Sequence, residues 1–240
     1  MTCSFEPIGV IRSCFQQKFG IPRQPGLVPE ARAVLELFPP YNRMESLRGL
    51  EGFSHLWVIF VFHECKADAS KTTVRPPRLG GNRRVGVFAT RSGFRPNPIG
   101  MSAVEMEKIE DDGKGIRIHL KGVDLLDGTP VLDIKPYLPY ADRIIEATGG
   151  FAARAPEKKF TVSFALQALE ACRRIEAENG ICLEPLVSGM LSYDPRPAYY
   201  NQNSSKSDFA ACVCGFEVRW KICGDQAVVQ SIEGPEVEAG

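Results

Sequence analysis

The chain has 240 residues, 44% hydrophobic and 24% charged, which is the ordinary globular range and is long enough for one large or two modest domains. Basic and acidic residues both number 29, so the zero formal net charge gives no overall sign of a nucleic-acid partner. No apolar run approaches the ~18–20 residues of a membrane-spanning helix, and the amino-terminal residues lack a secretory pattern, so we expect a soluble cytoplasmic protein without a membrane partner.

The first 150 or so residues carry the pattern of a β-rich domain. Residues 56–62 form a continuous apolar run, which is typical of a strand covered on both faces. Residues 85–89 predict a second strand, residues 116–120 alternate apolar and basic side chains, and residues 131–134 form another short candidate. Gly- and Pro-rich turns separate these segments. Short strands joined in this way indicate a closed or nearly closed sheet rather than a βαβ repeat.

Small residues dominate positions 143–156, and we place the domain boundary there, giving domains 1–152 and 153–240. The elements predicted beyond it are a strand at 160–164, a helix at 165–177, a second helix at 184–191 and strand character over 209–221. In the first helix, Leu166 is expected to flank the buried face. The second domain is therefore predicted to be small and α+β.

The cysteine usage favours reduced thiols. Eight cysteines in 240 residues are too few for a disulfide-stapled scaffold. They include no CxxC pair, and Cys212 and Cys214 have no nearby histidine, so we expect no metal site.

An acid-free segment between residues 69 and 104 contrasts with the neutral total. It contains seven cations: Lys71, Arg75, Arg78, Arg83, Arg84, Arg91 and Arg95. Arginine binds carboxylates and phosphates through a planar fork. The cluster is therefore either an oxyanion-binding surface or a solvated face paired with acids elsewhere, and charge alone does not decide between them.

The usual nucleotide motifs are absent from the sequence, while one loop carries an unusual pattern. There is no GxGxxG after a strand, no P-loop, no HExxH and no GxSxG, so a nucleotide-like ligand would need a pocket outside the Rossmann class. Residues 86–102 read GVFATRSGFRPNPIGMS. Pro96 and Pro98 restrict the backbone around Asn97. A stiff loop that carries Arg95 and Asn97 favours a site that holds a reactant over a simple linker.

This loop resembles the ATRSPxRPNPIGLS signature of the TrmO family, also called TsaA-like proteins. Other segments are similar to elements of that family in the same order: Pro22-Arg23-Gln24 to PRQ, residues 50–63 to LEGFSHLWVIFxFH, residues 124–137 to DLLDGTPVLDIKPY, and residues 194–199 to DPRPAY. The matches span nearly the whole chain. Gly93 stands where the family usually has proline, and Met101 where leucine is usual.

The resemblance implies a mostly β fold, with a non-Rossmann β-barrel methyltransferase domain, a small α+β carboxy-terminal domain and a homodimer. It also implies S-adenosyl-L-methionine as methyl donor and tRNA as partner. The implied reaction is N6-methylation of N6-threonylcarbamoyladenosine next to the anticodon. Two alternatives stay open: a non-catalytic S-adenosylmethionine-binding regulator, and the same barrel acting on another RNA or small substrate.

The resemblance also assigns site residues. The donor would be bound by Pro22, Arg23, Gln24, His63, Glu64, Arg91, Met101, Asp124, Leu125, Leu126 and Asp127. Methyl transfer is an in-line displacement that depends mainly on positioning. We expect Arg95 and Asn97 to act at the reacting centre, and Arg83, Arg84 and Arg95 to bind the acceptor's carboxylate and phosphates. The sequence does not identify a general base.

Overall fold

The computed structural model describes residues 4–65, 72–113, 115–196 and 207–234. Its strands are β1 Gly9–Ser13, β2 Arg32–Leu37, β3 His55–Val61, β4 Thr73–Val74, β5 Val85–Gly86, β6 Ile99–Asp111, β7 Ile116–Lys121, β8 Pro130–Pro136, β9 Thr161–Phe164, β10 Asp208–Val213, β11 Phe216–Cys223 and β12 Gln226–Glu233. Its α-helices are α1 Met44–Leu47, α2 Pro139–Asp142, α3 Leu166–Asn179 and α4 Leu183–Ser192. Within these ranges no helix has the length and apolar character needed to cross a bilayer.

Six antiparallel strands close into a barrel in the order β1-β2-β7-β6-β3-β8. Alternate side chains point inward along each strand, and those of Leu35, Leu56, Val58 and Ile118 are completely buried. The 13-residue β6 pairs with β3 over residues 99–105 and with β7 over residues 105–111. The register with β7 shifts between residues 106 and 108, which is typical of a β-bulge.

Two segments differ from the sequence predictions. The run at 56–62 is a strand, but only its inward side chains are fully buried, because one face of a barrel strand looks outward. The prediction of a strand over 85–89 was wrong beyond Gly86, since residues 87–89 form a 3-10 turn. The Thr90 N–H and hydroxyl both donate to the Val87 carbonyl oxygen, which satisfies that oxygen locally instead of in a sheet.

The carboxy-terminal part is a four-stranded sheet in the order β10-β11-β12-β9, packed against α3 and α4. Helix α3 ends at Gly180, whose φ of 69° suits the left-handed position after a helix. Ala168, Cys172 and Ile175 form part of its buried face. Leu166 is 70% exposed, so its predicted place beside that face was wrong.

The two sheets meet in a continuous apolar core. Phe15, two residues after β1, forms a β-bridge with Val213, and Phe19 stacks on Trp220 with ring centroids 5.8 Å apart. The Cys214 N–H donates to the Cys14 carbonyl oxygen at 2.8 Å. The segment that follows β1 therefore packs against the carboxy-terminal sheet, and the boundary at residues 152 and 153 stays a prediction.

Candidate active site

A cleft of about 460 Å³ opens at one end of the barrel. The strands alternate in direction, so the chain leaves β1, β3 and β7 at this same end. The cleft is lined by parts of four segments: residues 18–24, 60–65, 90–102 and 124–129. Its volume lies within the range of small-molecule sites in proteins.

Asp124 is a partly buried carboxylate in the cleft wall. Its neighbours Val123 and Leu125 are almost completely buried and anchor the chain after β7. The Ser102 hydroxyl on β6 donates a hydrogen bond to Asp124 Oδ1 at 2.6 Å. Burial raises the pKa of Asp124 to about 6, although the Ser102 hydrogen bond and the positive charge of Arg91 oppose the rise. This carboxyl group therefore changes its charge close to neutral pH.

A second wall of the cleft is built from Arg91 and Gln24. Arg91 Nη1 donates to Gln24 Oε1 at 2.8 Å, and Gln24 Nε2 donates to the Arg23 carbonyl oxygen. Arg23 Nη2 in turn donates to the Arg196 carbonyl oxygen at 3.0 Å. These bonds connect the segment after β1 to the segment before β6 and to the carboxy-terminal domain.

The rim of the cleft carries an ion pair. Lys18 Nζ lies 3.3 Å from Glu64 Oε2 and also donates to the Glu64 carbonyl oxygen at 2.7 Å. His63 is exposed beside this pair, and a Cβ placed on Gly128 would lie 3.9 Å from its Nε2. The His63–Glu64 dipeptide therefore faces the turn that joins β7 to β8.

The proline-bracketed loop brings Arg95 to the cleft and leaves Asn97 outside its lining. Arg95 Nη1 donates to the Thr90 carbonyl oxygen at 3.1 Å. Asn97 is exposed, and its carbonyl oxygen accepts the Ile99 N–H at 2.7 Å. The catalytic role assigned to Asn97 stays a prediction that its side-chain position does not favour.

Gly93 has a steric reason to lack a side chain. A Cβ at this position would lie 2.7 Å from Phe62 Cγ and 2.8 Å from Cys65 Sγ. Both distances are shorter than normal van der Waals contacts. The glycine therefore lets the loop approach the end of β3 closely, where the proline that is usual in the family would require a different spacing.

Asp127 lies close to the cleft but does not line it. Its Oδ1 accepts the Ser13 N–H at 2.9 Å, and its own N–H donates to the Phe15 carbonyl oxygen. In this position Asp127 fixes the turn between β7 and β8 against the end of β1. The direct donor contact assigned to it stays a prediction.

The cations of the acid-free segment lie in different places. Arg91 and Arg95 line the cleft, whereas Arg83 and Arg84 are exposed outside its lining, close to the β4–β5 ribbon. Arg78 Nη2 donates to the Arg154 carbonyl oxygen at 2.7 Å. Lys71 lies outside the described residues.

The DPRPAY segment is fixed by a buried ion pair. Asp194 is 2% exposed and accepts two hydrogen bonds from the Arg196 guanidinium, at 2.7 Å and 3.0 Å, and one from the Arg196 backbone N–H at 3.3 Å. The Arg196 guanidinium lies 5.1 Å from the centre of the Phe160 ring. Because the Arg196 carbonyl oxygen accepts from Arg23, this pair supports the cleft from the carboxy-terminal side. Residues 197–199 of the segment lie outside the described residues.

Sequence reasoning missed several residues that line the cleft: Lys18, Ile21, Phe62, Thr90 and Ser102. Ser102 has a signal that could have found it, because it stands between Gly100 and Val104 in the inward row of β6. A polar residue in an otherwise apolar inward row indicates a partner for its hydroxyl. No pattern in the sequence points to Lys18, which lies in an irregular segment.

The cysteines that the structure describes are free, and Cys3 lies outside the described residues. Within the described ranges, no group of three or more His, Cys, Asp and Glu side chains is arranged to hold a metal ion.

A closed antiparallel barrel with a cleft of apolar and charged side chains at one end defines a barrel-type small-ligand site, distinct from the doubly wound class of nucleotide-binding proteins. Residues 10–143 match the family model of the tRNA-methyltransferase O N-terminal domain, and residues 157–235 match that of the TrmO C-terminal domain. The chain belongs to the TrmO family.

Individual relatives agree with this assignment. The chain is 47% identical over 218 residues to a tRNA (adenine(37)-N6)-methyltransferase of Escherichia coli (strain K12), covering 91% of this chain and 92% of the relative. It is 47% identical over 224 residues to the putative S-adenosylmethionine-dependent methyltransferase RcsF of Pseudomonas aeruginosa, covering 92% and 93%. A crystal structure of TrmO from Pseudomonas aeruginosa superposes with a TM-score of 0.82 at 39% identity, covering 98% of this chain and 99% of that one.

Proposed function

We propose that the protein is an S-adenosyl-L-methionine-dependent tRNA methyltransferase that methylates N6 of N6-threonylcarbamoyladenosine next to the anticodon. The observation that carries this proposal is the cleft, which gathers every residue predicted for the donor site except Asp127 from segments far apart in the sequence. Relatives named tRNA (adenine(37)-N6)-methyltransferase, from Escherichia coli and Eikenella corrodens, support the choice of acceptor.

The chemistry of the cleft fits the donor, whose methionine part carries a sulfonium, an ammonium and a carboxylate. Glu64 and the ionised Asp124 supply negative charge, and Arg91 offers N–H groups to a carboxylate. Met101, 52% exposed, and Leu126 offer apolar surface to an adenine ring. When bound, the donor supplies an electrophilic methyl group.

The arginines have two separate roles in binding the acceptor. In this proposal Arg95, which lines the cleft, binds the threonine carboxylate of the modified base, and Arg83 and Arg84, which are exposed outside the cleft, contact tRNA phosphates. Phosphate contacts make affinity depend on salt, and each lost contact lowers the slope of log affinity against log salt by roughly one.

Exposed apolar residues near the end of the first domain support a homodimer. Tyr140, Ile144 and Ile145 are 86%, 68% and 78% exposed. Neighbouring large apolar side chains at the surface mark an interaction site, and we assign this one to a second copy of the chain, working in the cytoplasm. Ile145→Asp should shift the mass measured by light scattering to a monomer, whereas the control Leu166→Asp, at an equally exposed apolar position on α3, should leave the dimer intact.

The deciding experiment measures transfer of labelled methyl groups from S-adenosyl-L-methionine to tRNA transcripts with and without the threonylcarbamoyl group. Methylation of the modified transcript alone supports the proposal. Donor binding without transfer to either transcript would favour the non-catalytic regulator. Transfer to the unmodified transcript, or to another RNA, would favour the same barrel with a different acceptor.

Arginine variants test the acceptor side separately. Arg95→Ala should abolish methylation while most tRNA affinity remains, because the residue lies at the reacting nucleotide. Arg83→Ala combined with Arg84→Ala should weaken tRNA binding and flatten its salt dependence. The control Arg12→Ala removes a cation that is already paired with Glu36 at 3.0 Å and should bind tRNA normally. If the double variant binds tRNA like the wild type at every salt concentration, the assignment of these two residues is wrong.

A further inference from the structure

We propose that Asp124 is the base that accepts the N6 proton of the acceptor during methyl transfer, and that Ser102 is the positioning residue that holds this carboxylate. The inference rests on the proposed function, and it names the proton acceptor that the sequence leaves unidentified.

The reaction requires such an acceptor. The N6 lone pair is delocalised into the purine and the ureido carbonyl, so N6 is a weak nucleophile while it keeps its proton. As the bond from N6 to the methyl carbon forms, the bond from that carbon to the donor sulfur breaks and its electron pair stays on sulfur. The N6 proton passes to a carboxylate oxygen of Asp124 and later to water. Charge and atoms balance without a further reactant.

The other titratable groups of the cleft are poor candidates. Among the described residues, those that line it beside Asp124 are Lys18, Arg23, His63, Glu64, Cys65, Arg91 and Arg95. Arginine has no acceptor atom. Glu64 is paired with Lys18 at 3.3 Å, and both side chains are about half exposed, so water solvates them. His63 is exposed at the rim, where water competes with the acceptor for its ring.

Asp124 is instead held rigidly inside the wall. Ser102 is 2% exposed, and its position is fixed because β6 pairs with β3 at Val58. Its hydroxyl donates to Asp124 Oδ1 at 2.6 Å, which sets the orientation of the carboxylate. A base held by a short hydrogen bond on a strand of the barrel keeps its direction when the acceptor enters.

The acid–base properties agree with this geometry. Burial raises the pKa of Asp124 to about 6, so the carboxylate is ionised at neutral pH and is a stronger base than an exposed aspartate. The Ser102 hydrogen bond and the charge of Arg91 limit the rise. The rate should therefore fall as pH drops through about 6, because the protonated group cannot accept.

The test uses the full-length protein, saturating S-adenosyl-L-methionine and tRNA that carries the threonylcarbamoyl group, with single-turnover rates measured from pH 5 to 9. Asp124→Asn should lower the rate at pH 8 by about 100-fold or more and remove the decline at low pH. Ser102→Ala should move that decline to higher pH, because it removes a hydrogen bond that lowers the pKa. Ser102→Thr keeps a hydroxyl and should restore the position of the decline. The control Asp133→Asn removes a surface carboxylate of β8 that pairs with Lys135 and should match the wild type.

A second readout needs neither donor nor tRNA. In protein labelled with ¹³C at the aspartate carboxyl groups, the Asp124 signal is assigned through its connection to the assigned backbone signals of the wild-type protein. Its titration midpoint should lie well above that of an exposed aspartate, and Ser102→Ala should raise it further. This measurement also keeps the proposal testable if the asparagine variant folds poorly.

The outcomes separate this proposal from the proposed function. If the wild-type protein does not methylate the modified tRNA, the proposed function fails. If it does, but folded Asp124→Asn keeps a rate within about threefold of the wild type at saturating donor, Asp124 is not the base. A low-pH decline that persists in Asp124→Asn would assign the proton to another group, with His63 as the first candidate. An unchanged midpoint in Ser102→Ala would remove Ser102 as the positioning residue.

Discussion

Asp124→Asn should make the protein more stable at neutral pH. The substitution keeps the size of the side chain and an oxygen that can accept from Ser102 at the position of the present 2.6 Å hydrogen bond. It removes a carboxylate that is ionised at pH 8, although burial makes the charged form of this group unfavourable. A residue kept for its reactivity, rather than for the fold, is expected to show this kind of cost.

The magnitude follows from the pKa of Asp124, which burial raises from 3.8 to about 6. One pKa unit corresponds to about 1.4 kcal/mol, so the ionised group costs the fold about 3 kcal/mol above pH 6. The cost is absent below pH 3.8, where the group is protonated in both the folded and the unfolded chain, and it grows between these two values. Asp124→Asn should therefore gain 1–3 kcal/mol at pH 8, of the order of the full cost, and almost nothing at pH 3.5.

Urea unfolding at a series of pH values measures the effect. Asp133→Asn is the control, because this carboxylate is partly exposed and forms a surface ion pair with Lys135 at 2.8 Å; it should change stability by less than about 1 kcal/mol. If Asp124→Asn is less stable than the wild type at pH 8, the ionised carboxylate is stabilised in the fold and the argument from burial is wrong.

Three further predictions follow from close contacts. A Cβ at Gly189 on α4 would lie 2.8 Å from Val28 Cγ1. Gly189→Ala should therefore lower the free energy of unfolding, measured in urea, by about 1–3 kcal/mol, because α4 must move away from Val28. An unchanged stability would show that the contact between α4 and Val28 adapts without cost. A Cβ at Gly100 would overlap the Phe60 ring, which lines the cleft. Gly100→Ala should therefore lower both the melting temperature and the affinity for the donor. Wild-type values of both would contradict the position of this ring. Asp127→Ala should weaken donor binding measured by calorimetry, because it releases the turn held by the bond to Ser13; an unchanged affinity would exclude Asp127 from the donor site.

The strands that alternate strongly were accessible from sequence. Residues 116–120 alternate apolar and basic side chains, and β7 spans Ile116–Lys121 with Ile116, Ile118 and Leu120 buried. The signal is local, because a strand with one face in the barrel interior needs an apolar residue at every second position. Gly180 ends α3 for a similarly local reason, since its φ of 69° is unfavourable for other residues.

Other elements depend on partners that the local sequence does not reveal. β1 has only five residues, and its register is set by β2 and β8 on either side. β6 begins inside the segment 86–102 that carries the family signature. It pairs first with β3 and then with β7, so its 13 residues do not show one continuous alternation of buried and exposed side chains. Short or shared strands of this kind are stabilised mainly by their neighbours.

The sequence by itself determined the chemical types at the site: the arginines of the loop, the PRQ segment, the His63–Glu64 dipeptide and the acidic turn at 124–127. Tertiary structure decided which of them meet. Closure of the barrel brings the segments that follow β1, β3 and β7 to one cleft. Asp124 and Asp127 show the difference within four residues: Asp124 lines the cleft, where burial raises its pKa to about 6, and Asp127 accepts the Ser13 N–H outside the lining. Burial and hydrogen bonding set the role of each carboxylate, and both depend on residues distant in the sequence.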